Sequence, residues 1–182
     1  MMHSIYLSLL LFFTISTGSP LQTPAKKVPV KKCENVAIGG GKAFTDDLKN
    51  GVKLTDLSWA WNSSVACFPE TQKENYTGNH LLFETEIPAN SVMTVTLIPK
   101  KPGTKLSLYG YQIGVNNNAI VPQLSSCVTC EADNNQMGKA KNNIRSIRFN
   151  AIQRPYKIMI GIAGVNGLTA GEFDFQIVVK NR

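Results

Sequence analysis

The stretch HLLFETEIPANSVMTVTLIPKKPGTKLSLYGYQIG, residues 80–114, alternates apolar and polar side chains along most of its length. In its first run, Leu81 and Phe83 fall on one side of an extended chain, and Glu84 and Glu86 fall on the other. A period of two is the pattern of a half-buried β-strand. Pro-Ala-Asn and Lys-Pro-Gly turn signals divide the stretch, which therefore predicts three consecutive strands.

The same period of two returns in three runs nearer the C-terminus. They are IRSIRFNAI (144–152), YKIMIGIAG (156–164) and GEFDFQIVVK (171–180). Nearer the N-terminus, GVKLTDLSWAW (51–61) also predicts a strand, and FTDDLKNG (44–51) predicts a turn or a short helix that ends at its glycine. No long helical period interrupts these runs. The sequence therefore predicts an all-β fold, an antiparallel, jelly-roll-like β-sandwich of about seven to nine strands.

The span from Gly78 to Lys180 resembles the bacterial pre-peptidase C-terminal family and its jelly-roll relatives. The matching features are the strands of LLFETEIPANSVMTVTLIP (81–99), a Leu-Tyr strand in KLSLYGYQIG (105–114), and the closing strands RPYKIMIGIAG and GEFDFQIVV. The resemblance implies a non-catalytic domain of a kind that usually trails secreted peptidases, and some relatives bind collagen or carbohydrate. The family's paired aspartates before the Leu-Tyr strand are replaced by PGTKLSLY (102–109), so the resemblance does not imply calcium binding.

The composition fits one globular domain behind an export signal. Of 182 residues, 43% are hydrophobic and 17% are charged, which is enough to bury a core. Residues 1–18 are predicted to be a signal peptide, because a short apolar run is followed by small residues. Residues 19–32 are rich in Pro and Lys and predict an extended tether, and residues 33–182 are predicted to form a single domain. The apolar run is too short to span a bilayer, so we expect a secreted or periplasmic protein with no transmembrane segment.

The net charge narrows the class of partner. Nineteen Lys and Arg against twelve Asp and Glu give a formal charge of +7, which favours anionic surfaces. The basic residues are scattered, with no Arg-rich helix and no aromatic RNA-binding motif, so nucleic acid is not expected. The expected partners are a glycan, an extracellular-matrix protein or an anionic cell-surface polymer.

The four cysteines, Cys33, Cys67, Cys127 and Cys130, are even in number, and in an exported protein this predicts structural disulfides. Cys127–Cys130 and Cys33–Cys67 are the natural pairings, although three connectivities are formally possible. The Cys-x-x-Cys lies in a long Asn-rich connection, predicted over 115–141, which we expect a disulfide to staple. A short disulfide of this kind would make the loop rigid, which suits a loop that binds a ligand.

Two pairs of aromatic residues are candidates for ligand binding. Trp59 and Trp61 flank an alanine, and Tyr109 and Tyr111 flank a glycine. In a strand, both rings of each pair face the same way. Exposed pairs could stack on sugar rings, whereas buried pairs would belong to the core.

Glu131 and Asp133, followed by Asn134 and Asn135, form an oxygen-rich cluster that could hold calcium. The spacing does not match an EF-hand loop, and a polar surface turn uses the same residue types. Zinc is not expected, because the cysteines provide one close pair where a structural site needs two. No other metal or cofactor is expected.

The sequence offers few residues that could catalyse a reaction. His80 is the one histidine that follows the predicted signal peptide, and the chain has no Gly-x-Ser-x-Gly elbow. The leading hypothesis is therefore a secreted, non-catalytic binding or adhesion module. One alternative is a carboxylate-dependent hydrolase, which requires Glu84, Glu86, Glu172 and Asp174 to line one cleft. The other is a periplasmic thiol oxidoreductase, which requires Cys127 at a helix N-terminus.

Two sequons are present, Asn62-Ser-Ser and Asn75-Tyr-Thr. Either could accept an N-linked glycan in a eukaryotic host. The family resemblance points to bacteria, where these sequons would be without consequence.

Overall fold

Ten strands are present in the part of the chain that the computed structural model describes, residues 27–134 and 143–182. They are β1 Val30–Lys32, β2 Gly41–Asp47, β3 Val52–Lys53, β4 Asn79–Ile87, β5 Ser91–Pro99, β6 Leu106–Ile113, β7 Thr129–Asp133, β8 Arg145–Ala151, β9 Tyr156–Gly164 and β10 Glu172–Asn181. Short 3₁₀ turns span Leu48–Asn50, Ser58–Trp61, Glu70–Tyr76 and Val165–Gly167.

The strands form two sheets that enclose a core between them. The covered sheet has the order β1-β4-β9-β6-β7, with β3 also paired to β4, and the open sheet has the order β2-β10-β5-β8. The described pairings are antiparallel, apart from the parallel pairing of β1 with β4. Without β1 and β3, the strand order is that of a jelly roll, in which the first strand pairs with the last. The predicted all-β sandwich is confirmed.

The sandwich core, between the two sheets, is built by the strands whose alternation the sequence displays. In β8, Ile147 and Phe149 are buried while Arg148 and Asn150 between and beside them are exposed. Facing residues complete the core from the other strands: Leu81, Phe83, Ile87, Met93, Val95, Leu97, Leu106, Leu108, Ile158, Ile160, Ile162, Phe173, Phe175, Ile177 and Val179. Period-two alternation therefore identified the inward side of each of these strands.

A second buried region, the outer layer, covers the other face of the covered sheet. Its chain segments are residues 52–76 and 114–128, and it packs on Leu82, Tyr109 and Met159 of the sheet. Because β9 contributes to both buried regions, neither of its faces meets solvent. Burial on both faces explains why the sequence of β9 is almost continuously apolar.

The strand predicted over 51–61 is wrong beyond its first residues. Val52 and Lys53 form β3, but Ser58–Trp61 is a 3₁₀ turn. The cause is local, since the Asp56 carboxylate accepts hydrogen bonds from both the backbone N–H and the hydroxyl of Ser58, at 2.9 and 2.6 Å. An aspartate that bonds two residues ahead favours a turn over an extended chain. The turn or short helix predicted over 44–51 is confirmed for Leu48–Asn50, which ends at Gly51, but residues 44–47 belong to β2.

Two other predicted boundaries are also corrected. The end of the predicted tether is part of the fold, because Val28 is buried and Val30–Lys32 is β1. Lys31 of β1 forms an ion pair with Asp46 of β2 and so ties the two sheets together at this edge. The loop predicted over 115–141 contains β7, which pairs with β6.

The predicted signal peptide, residues 1–18, and the segment 135–142 lie outside the described residues. Within the described ranges, none of the helices has the length and the apolar character that crossing a bilayer requires.

Candidate functional site

The aromatic pairs do not form an exposed platform. Trp59 is 4% exposed, and Tyr109 and Tyr111 are fully buried. Trp59 packs between the rings of Phe68, at 5.8 Å, and Tyr109, at 5.4 Å, and Trp61 packs half-buried against the same cluster. The hypothesis that these residues stack on sugar is therefore wrong for the three buried rings. Their role is to hold the outer layer on the covered sheet.

Tyr109 reaches across its neighbouring strand to a buried histidine. Its ring lies over Gly161, where a Cβ would come within 2.0 Å of the ring. The hydroxyl is 3.0 Å from Nδ1 of His80, and Nε2 of His80 is 2.7 Å from the carbonyl oxygen of Tyr76. A carbonyl only accepts, so Nε2 carries the proton and Nδ1 accepts from Tyr109. Burial lowers the pKa of His80 to about 4, although the bond to the Tyr76 carbonyl opposes the shift. This imidazole is a neutral structural group with no access to a substrate.

The cysteines are joined differently from the expected pairings. The structure links Cys67 to Cys130, with the two Cα atoms 4.8 Å apart, and leaves Cys33 and Cys127 as free thiols. The predicted pairs Cys127–Cys130 and Cys33–Cys67 are therefore wrong. Cys33 packs against the sandwich core, whereas Cys67, Cys127 and Cys130 pack in the outer layer. The disulfide ties the segment before β4 to β7, so the expected staple exists but joins two distant segments.

The geometry gives no support to a thiol oxidoreductase. Cys127 lies in the loop before β7, and no helix begins there in the described residues. Burial raises the pKa of Cys127, and burial raises the pKa of Cys33 to about 11. A catalytic thiol requires the opposite shift, because the thiolate is the nucleophile.

The carboxylates that a hydrolase would need lie on different sheets. Glu84 and Glu86 belong to β4 of the covered sheet, and Glu172 and Asp174 belong to β10 of the open sheet. Glu84 lies 3.8 Å from the ammonium of Lys157, and Glu86 is exposed. These four side chains do not share a cleft, so the arrangement that the hydrolase alternative required is not present.

Glu131 and Asp133, from the cluster for which calcium binding is predicted, each accept a hydrogen bond within the fold. Glu131 accepts a hydrogen bond from the hydroxyl of Thr129, and Asp133 accepts one from the backbone N–H of Ser146, at 2.9 Å. Asp133 thereby links β7 to β8, which belong to different sheets. Within residues 27–134 and 143–182, no three His, Cys, Asp or Glu side chains cluster as metal ligands would. Asn135 of the same cluster lies outside the described residues, and calcium binding there stays a prediction.

A groove in the outer layer is a candidate site for ligand binding that the sequence did not reveal. The lysine groove has a volume of about 330 Å³ and is bordered by three chain segments, 27–28, 53–55 and 121–123. Val28, Leu54 and Val121 are buried and form its apolar floor. Around this floor stand exposed polar side chains, which are Lys27, Lys53, Thr55 and Gln123.

The electrostatics of the lysine groove are cationic. No carboxylate lines it, and neither Lys27 nor Lys53 forms an ion pair with a residue in the described ranges. Other lysines do form ion pairs with acidic side chains. They are Lys31, Lys42, Lys49, Lys100 and Lys157. Two ammonium groups beside an apolar floor, with threonine and glutamine nearby, can bind an anionic group and pack against the carbon skeleton that carries it.

Sequence reasoning missed this groove because its residues are far apart in the chain. Lys27 and Val28 precede β1, the second segment begins with the last residue of β3, and the third belongs to the connection after β6. No motif or spacing links three such segments. Folding over the covered sheet brings them together.

No family model matches the chain, and no curated protein matches it. Several solved structures are similar to this chain. The pre-peptidase C-terminal domain of a Bacillus anthracis collagenase is 10% identical, covers 85% of this chain and 98% of that one, and has a TM-score of 0.41. PliG, a periplasmic inhibitor of g-type lysozyme from Aeromonas hydrophila, is 8% identical over 83% and 97%, with a TM-score of 0.42. CorA, a surface-associated copper-binding protein of Methylomicrobium album BG8, is 10% identical over 85% and 100%, with a TM-score of 0.44.

The first of these three domains belongs to the family that the strand pattern resembles. With TM-scores below 0.5, the similarities carry no inference about function.

Proposed function

We propose that this protein is an exported, non-catalytic binding module whose contact surface is the lysine groove and whose ligand is an acidic glycan. The observation that supports the proposal best is that Lys27 and Lys53 border a cleft and that, among the described residues, neither forms an ion pair and no carboxylate lines the cleft. A uronate or a sulfate ester supplies the complementary negative charge, and the apolar floor accommodates the carbon faces of a sugar ring.

Two further observations agree with this proposal. The formal charge of +7 adds a long-range attraction for a polyanion, which speeds encounter but gives little specificity. The Cys67–Cys130 bond fits an oxidising compartment, as expected for a protein exported by the predicted signal peptide.

The decisive experiment separates the groove from the net charge. Binding of the chain without residues 1–18 is measured to immobilised heparin, to polygalacturonate and to neutral dextran, at low and at physiological ionic strength. We expect binding to one of the acidic polymers and none to dextran. The double substitution Lys27→Ala with Lys53→Ala should weaken binding about tenfold, because two exposed charge contacts together contribute roughly 1.4 kcal/mol.

The matched control is the double substitution Lys101→Ala with Lys105→Ala, which removes the same charge from exposed positions outside the groove. It should change the affinity less than twofold. Equal weakening by both double variants would show that net charge alone attracts the polymer, and the groove would then have no role. Absence of binding to either acidic polymer at low salt would overturn the proposed ligand class.

A further inference from the structure

The two N-glycosylation sequons occupy opposite environments in the outer layer. Asn62 is exposed and follows the 3₁₀ turn Ser58–Trp61. Asn75 is 5% exposed and lies within the 3₁₀ turn Glu70–Tyr76. The atom that accepts a glycan is the side-chain amide nitrogen, Nδ2, so the surroundings of that atom decide which sequon the folded protein tolerates in modified form.

At Asn62, the amide nitrogen is free while the oxygen is engaged. Oδ1 accepts hydrogen bonds from the backbone N–H and the hydroxyl of Ser64, at 3.1 and 2.8 Å. The backbone carbonyl of Asn62 accepts from the N–H groups of Val65 and Ala66. Nδ2 donates to no group in the described residues, and it projects from an exposed turn. A bulky substituent on this nitrogen therefore costs no internal hydrogen bond and displaces no packed side chain.

At Asn75, the amide nitrogen is used by the fold. Nδ2 donates to the carbonyl oxygen of Gln72 at 3.2 Å. The next residue, Tyr76, is fully buried, stacks on Phe68 with ring centroids 3.8 Å apart, and supplies its carbonyl to His80. The hydroxyl of Thr77 accepts from the N–H of Gly167 at 3.0 Å, which fixes the rest of the sequon against the chain. A sugar on Asn75 would replace one of the two hydrogens of Nδ2 and would have to enter the packed outer layer.

We propose that Asn62 is the sequon that accepts an N-linked glycan when this protein is exported by a eukaryotic cell, and that Asn75 is not. The proposal concerns export through a secretory pathway that contains an oligosaccharyltransferase. In the transfer, Nδ2 of Asn62 forms a bond to the anomeric carbon of a lipid-linked oligosaccharyl diphosphate. The bond from that carbon to the diphosphate oxygen breaks, the lipid diphosphate leaves, and the amide nitrogen loses one proton. The proposal is independent of the lysine groove, because none of the groove residues belongs to either sequon.

The test is expression of the full chain with its own N-terminal segment in cultured eukaryotic cells, followed by site mapping of the secreted product. Enzymatic removal of N-glycans converts the attachment asparagine to aspartate, which mass spectrometry of peptides identifies directly. We expect conversion at Asn62 and an unmodified Asn75 in the secreted protein. Asn62→Gln and Ser64→Ala should each abolish the glycan shift on a gel.

The matched control is Thr77→Ala, which destroys the second sequon and keeps Asn75 and its hydrogen bond. It should leave the glycan shift unchanged. Site mapping of the unaltered chain gives the same information if any variant fails to fold. Secreted protein without a glycan, failure of the chain to enter the secretory pathway, or a glycan on Asn75 of secreted protein would each overturn the proposal.

Discussion

The two faces of the covered sheet are both buried, but they are buried by different kinds of structure. On one face, the sandwich core joins two sheets of hydrogen-bonded strands. On the other face, the outer layer consists of short 3₁₀ turns and irregular connections held by one disulfide and a cluster of aromatic rings. The two sheets of strands therefore define the fold, whereas the lysine groove and both sequons lie in the outer layer.

The difference has an energetic consequence. Backbone groups in a β-ladder satisfy one another, so the sandwich core combines apolar burial with a continuous hydrogen-bond network. The outer layer has fewer repeating bonds and depends more on individual contacts, among them the disulfide and the His80 bonds to Tyr76 and Tyr109. We therefore expect the outer layer to open at a lower free energy than the sandwich.

The largest effect should come from the sandwich core. Phe175 stacks on Phe44 at 5.0 Å and packs against Phe83 at 4.6 Å, and it is fully buried. Phe175→Ala should lower the free energy of unfolding by about 4 kcal/mol, because it leaves a cavity among rings fixed on two sheets. Denaturant unfolding followed by circular dichroism measures this. Phe68→Ala is the matched change in the outer layer and should cost less, and equal costs would mean that the two regions unfold as one unit.

Loss of the disulfide should have the next largest effect. The Cys67–Cys130 bond closes a sequence separation of 63 residues. Removing it by Cys67→Ser with Cys130→Ser should lower the free energy of unfolding by about 3 kcal/mol. Hydrogen exchange should speed up first at the amides of 57–68, while amides of β10 keep their protection.

Cys33→Ser is the control for this prediction, since Cys33 is a free thiol and its substitution removes no covalent bond. It should change stability by less than about 1 kcal/mol. Peptide mapping of the oxidised protein should identify the Cys67–Cys130 link. A Cys127–Cys130 or Cys33–Cys67 peptide instead would contradict the structure and return to the pairings expected from spacing.

The same contrast explains what the sequence could and could not predict. In the sandwich, the side-chain period is a local property of each strand, so the inward sides of β8 and β10 follow from their residues alone. In the outer layer, Trp59 lies in a turn that begins at Asp56. The residues of 51–61 are typical of a strand, so the sequence predicted a strand there and was wrong. Burial of Tyr109 depends on Gly161 in another strand.

The disulfide pairing and the lysine groove could not be predicted from the sequence, because both depend on how distant segments meet in the fold. The Cys67–Cys130 pairing depends on where the segment 52–76 crosses the sheet, and nearest-neighbour spacing favoured a different answer. The lysine groove joins three segments that share no motif. Net charge indicated an anionic partner in general, but only the fold distinguishes Lys27 and Lys53 from lysines that are already paired.

The smallest effect concerns pH and tests how the outer layer is attached. His80 belongs to β4, and its imidazole is one of the polar contacts between the covered sheet and the outer layer. Burial lowers its pKa from 6.5 to about 4 in the folded protein. Between these two values the unfolded chain binds a proton that the folded protein excludes, so stability falls as the pH falls. From pH 7 to pH 5 the free energy of unfolding should decrease by about 2 kcal/mol, at 1.36 kcal/mol for each pH unit below 6.5.

The control for this pH dependence is His80→Gln, whose side chain can still donate to the Tyr76 carbonyl but does not titrate. Its stability should change little between pH 7 and pH 5, whatever its absolute value. Asp46, Asp47 and Asp56 do not contribute in this window, because their pKa values are lowered from an ordinary value that already lies below pH 5. Burial raises the pKa of Asp46, but its hydrogen bonds and Lys31 together lower it by more, and hydrogen bonds lower the pKa values of Asp47 and Asp56. An equal slope in the variant and in the unaltered protein would show that His80 is not buried as a neutral group. Water would then have to reach the junction between the outer layer and the sheet. The outer layer would differ from the sandwich core in its access to solvent as well as in its architecture.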